Sequence, residues 1–157
     1  MRIKPFRNLI FTTISFCLLS CGNNTTAEDE NVHSSTEMML NSFALSEISP
    51  ELDGCSCLFA QDSSEYNESN YIFSANYDSI AFAKIDGVMT RLMLKNKKQE
   101  NKKSEMLYEN EDYKLQVEQY EGEKSGYESV HYSGTIHISE KHTKRKIKSP
   151  FFGECGC

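Results

Sequence analysis

From Cys55 onward, hydrophobic and polar residues alternate with a period of two, the signature of strands with one buried face. "CSCLFA" puts Cys55, Cys57 and Phe59 on one face, and "NYIFSANY", residues 70–77, is rich in aromatic and β-branched residues. The best-defined element is "SIAFAKIDGVMTRLML", residues 79–94, centred on Asp86-Gly87. Asp-Gly suits a tight turn in which both central residues take positive φ, and the twist of that turn matches the flanking strands. A two-residue turn sets Ile85 against Val88, Ala83 against Thr90 and Ala81 against Leu92, an apolar face that should look into a core. The opposite face, with Lys84, Arg91, Phe82, Met89 and Met93, is mixed.

"DYKLQVEQY", residues 112–120, and "SVHYSGTIHIS", residues 129–139, alternate in the same way. A weaker strand around Lys144–Lys148 leads through Pro150 to the closing "GECGC". Before the strands, "TEMMLNSFALSEI", residues 36–48, places Leu40, Phe43, Ala44 and Ile48 on one side of a short amphipathic helix. Six or seven short strands in about 100 residues predict an all-β domain over 38–157, an antiparallel barrel or sandwich, with that one short N-terminal helix. With no tryptophan in the chain, Phe59, Phe73, Phe82, Tyr71, Tyr113 and Tyr132 are the expected large core groups.

The first 20 residues have another character. Arg2, Lys4 and Arg7 precede an apolar run, Leu9 to Leu19, too short to span a bilayer as a helix, which fits a secretory signal. "LLSC", Leu18 to Cys21, resembles the lipobox of bacterial lipoproteins. That resemblance implies cleavage before Cys21, acylation of Cys21 as the lipid anchor and attachment of the protein to a membrane. Gly22, where the family's inner-membrane retention signal is an Asp, implies an outer-membrane address facing the periplasm or the cell surface. Residues 21–37 are polar and read as a solvated tether. The layout as a whole, from the lipobox through "DGCSCLF" and "AKIDGVMTRL" to "GECGC", is similar to the small lipoproteins of the Bacteroidota.

Removing the signal takes 17 basic residues to 14 against 23 acidic ones, a net charge of −9, which argues against a nucleic-acid partner. The basic run "KNKKQENKK", residues 95–103, is the local exception and reads as a solvated loop.

Four cysteines remain after Cys17 leaves with the signal and Cys21 is acylated: Cys55, Cys57, Cys155 and Cys157. A bond within one Cys-x-Cys must join Cα atoms about 6.6 Å apart when extended, at the far edge of disulfide reach. Between extended strands, both sulfurs of each pair point the same way, so two parallel cross-links are favoured. Antiparallel strands would join Cys55 to Cys157 and Cys57 to Cys155. The first such bond closes a loop of about 100 residues, worth about 4.7 kcal/mol by chain entropy, and the nested second adds far less. The glycine in "CGC" keeps a Cys155–Cys157 bond open, and four thiolates would suit copper or zinc, although structural zinc sites space their cysteines more widely.

Other chemistry is sparse. His131 and His137 share a strand face but lie about 20 Å apart, too far to hold one ion. No nucleophile elbow, zinc-protease helix or phosphate loop is present, and nothing calls for a cofactor or for catalysis. "DSI", residues 78–80, looks like the short motif at which the same bacteria O-glycosylate exported proteins, with Ser79 as acceptor. "AKIDGVMTRL" followed by "KSGYES", residues 124–129, is similar to the membrane-bound inhibitors of C-type lysozyme. Those are lipid-anchored barrels that insert a Ser-Gly-x-x-Tyr-like loop into the enzyme's cleft; here Ser125, Gly126 and Tyr127 are contiguous, and the family's tryptophan is missing. The expectation is a non-enzymatic envelope lipoprotein that binds a protein or glycan, with lysozyme inhibition and cysteine-based metal binding as alternatives.

Overall fold

The computed structural model describes residues 37–52, 54–76 and 78–157. The signal peptide expected over residues 1–20, the lipid anchor expected at Cys21 and, but for Glu37, the tether expected over residues 21–37 lie outside the described residues. The strands are β1 (Leu40–Asn41), β2 (Ser56–Ala60), β3 (Tyr71–Asn76), β4 (Ile80–Ile85), β5 (Val88–Glu100), β6 (Lys103–Glu109), β7 (Tyr113–Lys124), β8 (Val130–Glu140) and β9 (Lys146–Gly156). All pairings are antiparallel, in the order β4-β3-β2-β9-β8-β7-β6-β5, and β5 pairs back to β4 to close an eight-stranded barrel. Closure removes the open edges that would invite another chain to add. The fold is thus the all-β barrel of the expected alternatives.

The Asp86-Gly87 turn carries φ of 49° and 82°, and Ile85, Ala83 and Ala81 meet Val88, Thr90 and Leu92 as their spacing dictates. Inward residues fill the barrel: Phe59, Ala81, Ala83, Leu92 and Leu115 are fully buried, and Phe73, Tyr108, Ile136 and Ile138 nearly so. Phe59 stacks on Phe151 at 4.3 Å and on Phe73 at 5.8 Å. Each such side chain contributes about 1.5–3 kcal/mol by leaving water. Phe82 is buried too, but outside the barrel, in a small cluster with Leu52 and Ile80.

Three expectations are corrected. Residues 37–48 form no α-helix: Leu40 and Asn41 pair with Ile85 and Lys84, Phe43 bridges to Tyr71, and Leu45–Glu47 make a single 3-10 turn. β3 reaches β4 only at residues 81–83, so the N-terminal segment takes the backbone groups left where those strands diverge. The helical spacing of apolar residues serves two surfaces instead. Met38 and Leu40 join the barrel core, while Ile48 and Leu52 cover Ile80 and Phe82.

Second, the lysine-rich run is strand rather than loop. It completes β5, turns at Asn101 (φ 52°) and enters β6, with Glu100 opposite Lys103 and Lys97 opposite Met106. Beyond Met93 this part of β5 pairs with β6 alone, and its lysines discourage a second copy from pairing there. Third, β6 and its core residue Tyr108 have no counterpart in the sequence reading, and with the two-residue β1 they bring the strands among the described residues to nine rather than six or seven. The one α-helix among the described residues is α1 (Ser63–Asn67), started by Asp62, whose carboxylate accepts from the backbone N–H groups of Ser64 and Glu65 at 2.8 and 3.0 Å.

Candidate functional site

β2 and β9 lie side by side in the barrel wall with Cys57 directly opposite Cys155 and Ser56 opposite Gly156. Cys57 and Cys155 stand at disulfide distance, as do Cys55 and Cys157, with Cα atoms 4.0 Å apart in each pair. The structure therefore brings the four cysteines together in the antiparallel pairing, joining the opening and closing strands. Cys57 and Cys155 are buried, whereas Cys55 and Cys157 are exposed at the rim. Sulfurs paired in this way offer no thiolate to a metal.

At the same end of the barrel, β7 and β8 are joined by the loop 125–129. The amides of Ser125 and Gly126 donate to the Ser129 carbonyl at 3.0 and 3.4 Å, which pinches its base. Val130 pairs with Cys155 immediately beyond, so the cross-linked end of β9 braces the loop. At the tip Tyr127 is 96% exposed, the extreme among the large hydrophobic side chains described. An aromatic ring left wholly in water is the kind of group that anchors an interface.

The two histidines of β8 face outward without meeting. His131 packs on Phe152 at 5.1 Å between ring centroids, and its Nδ1 lies 3.9 Å from Glu154. Tyr66 of α1 meets Phe152 edge-on, and burial, followed by the charge of Glu154, pushes its hydroxyl up to about 12. This group ties α1 to β9. His137 is exposed, with Gln116 and Lys148 as its cross-strand neighbours. Ser79 lies exposed in the turn between β3 and β4. Its amide donates to Asn76 Oδ1 at 2.9 Å, and its hydroxyl accepts from Asn76 Nδ2 at 3.0 Å.

A further feature escaped the sequence reading. Lys114, Lys146 and Lys148 line one outer groove of about 480 Å³. The alternation around Lys146 and Lys148 signalled outward lysines, but only the pairing register shows that Lys114, over 30 positions earlier, shares their face. No protein-family model, curated protein or solved structure matches the chain. What the fold and surface define is a small, side-chain-filled eight-stranded barrel with two cysteine pairs in its wall and one projecting aromatic loop.

Proposed function

We propose that the protein is a lipoprotein of the cell envelope, anchored to the outer membrane through acylated Cys21, and that its barrel binds an envelope partner without catalysing a reaction. One observation carries the reading: Tyr127 projects into water on a braced loop at the Val130 end of β8, while the N-terminal segment joins the barrel at the other end of that strand. There Met39 bonds to Asp86, Asp86 to Arg145, and the Glu140 amide to the Arg145 carbonyl. A tether reaching residue 37 would hold the barrel by that end and leave the loop pointing away from the membrane. The packed interior agrees with a partner met at the surface rather than a ligand enclosed.

Two measurements test this. Intact mass of the mature protein from membranes should show a diacyl- or triacyl-modified Cys21, and an unmodified N-terminus refutes the anchor. A photo-crosslinking residue at position 127 should trap a discrete partner in cells that one at exposed Lys102 does not. Equal labelling from both positions removes the loop from the interface.

The exposed Ser125-Gly126-Tyr127 tip on an eight-stranded barrel also supports a second, narrower reading, inhibition of a C-type lysozyme. Added barrel should then slow lysozyme-driven lysis, and Tyr127→Ala should abolish the effect; unchanged lysis at high molar excess dismisses it. A copper or zinc carrier would require the cysteines as free thiolates, and metal analysis of chelator-free protein checks that alternative.

A further inference from the structure

On the outer face of β5–β9 one cross-strand row runs Asn96, Leu107, Gln116, His137, Lys148, each residue directly opposite the next. Four strand spacings make this row about 19 Å long. Beside it on β7–β9 runs a second row, Lys114, Ser139, Lys146. The two rows line two grooves of about 330 and 480 Å³ that share Gln116 and His137 and so form one trough across the strands.

The charge in the trough is unbalanced. No ion pair engages Lys114, Lys146 or Lys148 among the described residues. Their nearest carboxylates in register are occupied elsewhere: Glu109, opposite Lys114, lies 3.1 Å from Lys141 Nζ. Glu105 and Glu118, at the far side of the trough, both hold Lys103, at 2.8 and 3.1 Å, and Glu118 also accepts from the Tyr120 hydroxyl. Three free ammonium groups thus gather on a chain whose formal charge is negative. Of the remaining polar lining, Asn96, Gln116, His137 and Ser139 have side chains that both donate and accept hydrogen bonds, and Lys98 lies at the far side beside Glu105.

We infer that this trough binds an acidic oligosaccharide, one bearing sulfate, phosphate or carboxylate groups. Lysines give the anionic substituents their counter-charge, the amide, imidazole and hydroxyl groups suit sugar hydroxyls, and the elongated shape suits a short chain rather than a single ion. A bilayer surface, by contrast, meets a projecting basic face better than a hollow one. The inference is independent of the loop reading, since Tyr127 lies beyond the trough at the other end of β8.

The test uses the chain from Gly22 to Cys157, which holds every core residue and all four paired cysteines. Fluorescence polarisation would follow a labelled heparin-derived hexasaccharide at low ionic strength, with neutral maltohexaose as control. Binding is expected for the sulfated sugar alone and should fall at least about tenfold in the combined variant Lys114→Gln, Lys146→Gln, Lys148→Gln. The variant Lys102→Gln, Lys124→Gln, altered at the opposite end of the barrel, and Tyr127→Ala should both bind normally. Absent binding, equal binding of the neutral sugar, an unaffected triple variant, or equal loss in the Lys102/Lys124 variant overturns the inference. So does sedimentation with phosphatidylglycerol vesicles in the absence of sugar binding, which assigns the lysines to a membrane surface.

Discussion

Gly153 stands directly opposite Phe59 across β9 and β2, and the space a side chain would need at 153 is already occupied. A Cβ there would lie 2.0 Å from the Leu58 carbonyl oxygen and 2.7 Å from Cδ1 of the Phe59 ring. Since the first obstacle is backbone, relief requires the two strands to part, and β9 is the strand that carries Cys155 beside Cys57. Gly153→Ala should therefore destabilise the barrel by about 3 kcal/mol or more, at the upper end of overpacking losses. Gly126→Ala, whose Cβ would meet nothing closer than 3.5 Å, should be near neutral. Urea titration of both variants checks the contrast, and equal midpoints would mean that the strands yield easily.

The two cysteine pairs should be redundant for stability but unequal in reactivity. Each closes nearly the same loop, with sequence separations of 102 and 98, so either alone supplies most of the constraint on the unfolded chain. Replacing Cys55 and Cys157 by serine should cost no more than about 2 kcal/mol, and replacing all four cysteines at least about 4.7 kcal/mol. Because Cys55 and Cys157 are exposed while Cys57 and Cys155 are buried, mild reduction followed by alkylation should label the outer pair first. Additive losses, or earlier labelling of the inner pair, would contradict the arrangement.

Asp86 does more than form a turn. Its Oδ1 accepts from the Met39 amide at 2.9 Å, its Oδ2 meets Arg145 at 2.9 Å, and the neighbouring Gly87 amide donates to Asn41 Oδ1 at 2.8 Å. Asp86→Asn keeps tolerance of positive φ and an acceptor oxygen, losing chiefly the ion pair, and should cost less than about 1 kcal/mol. Asp86→Ala loses both partners at a positive φ and should cost about 1–3 kcal/mol. Hydrogen exchange at the Met39 amide should accelerate in the alanine variant alone; equal acceleration in both would place the stabilisation in the charge.

The legible elements were those whose information is local. The Asp-Gly turn fixed the β4–β5 register, and alternation identified β2, β7 and β8 because each has one dry face and one wet face. The antiparallel sulfur pairing was the one strand geometry favoured, with a Cys155–Cys157 bond and a metal site left open beside it. What stayed hidden depends on partners distant in sequence. Lys95–Lys103 lacks an apolar face of its own and is strand because β6 supplies its hydrogen bonds. Leu40 and Phe43 mimic a helix because their spacing meets two separate surfaces. The lysine trough combines residues from two regions of the chain that only the β7–β8–β9 register aligns.

Acid should weaken the hold on the hairpin between β8 and β9. Arg145 holds Glu140 with two hydrogen bonds of 2.9 Å while the Thr143 hydroxyl donates to the same carboxylate. Arg145 and then Thr143 pull that carboxyl down to about 2. In the unfolded chain the group takes up its proton near about pH 4.3. Between those values the unfolded state binds a proton that the folded state refuses. This contribution is therefore complete above the unfolded value, shrinks as pH falls through the interval, and is gone below about pH 2. The same guanidinium bonds Asp86, so protonation also slackens the hold on the β4–β5 turn. Urea midpoints measured from about pH 6 to about pH 2 should fall less steeply for Glu140→Gln than for the parent chain. Parallel slopes would show that the acid response lies in other carboxylates.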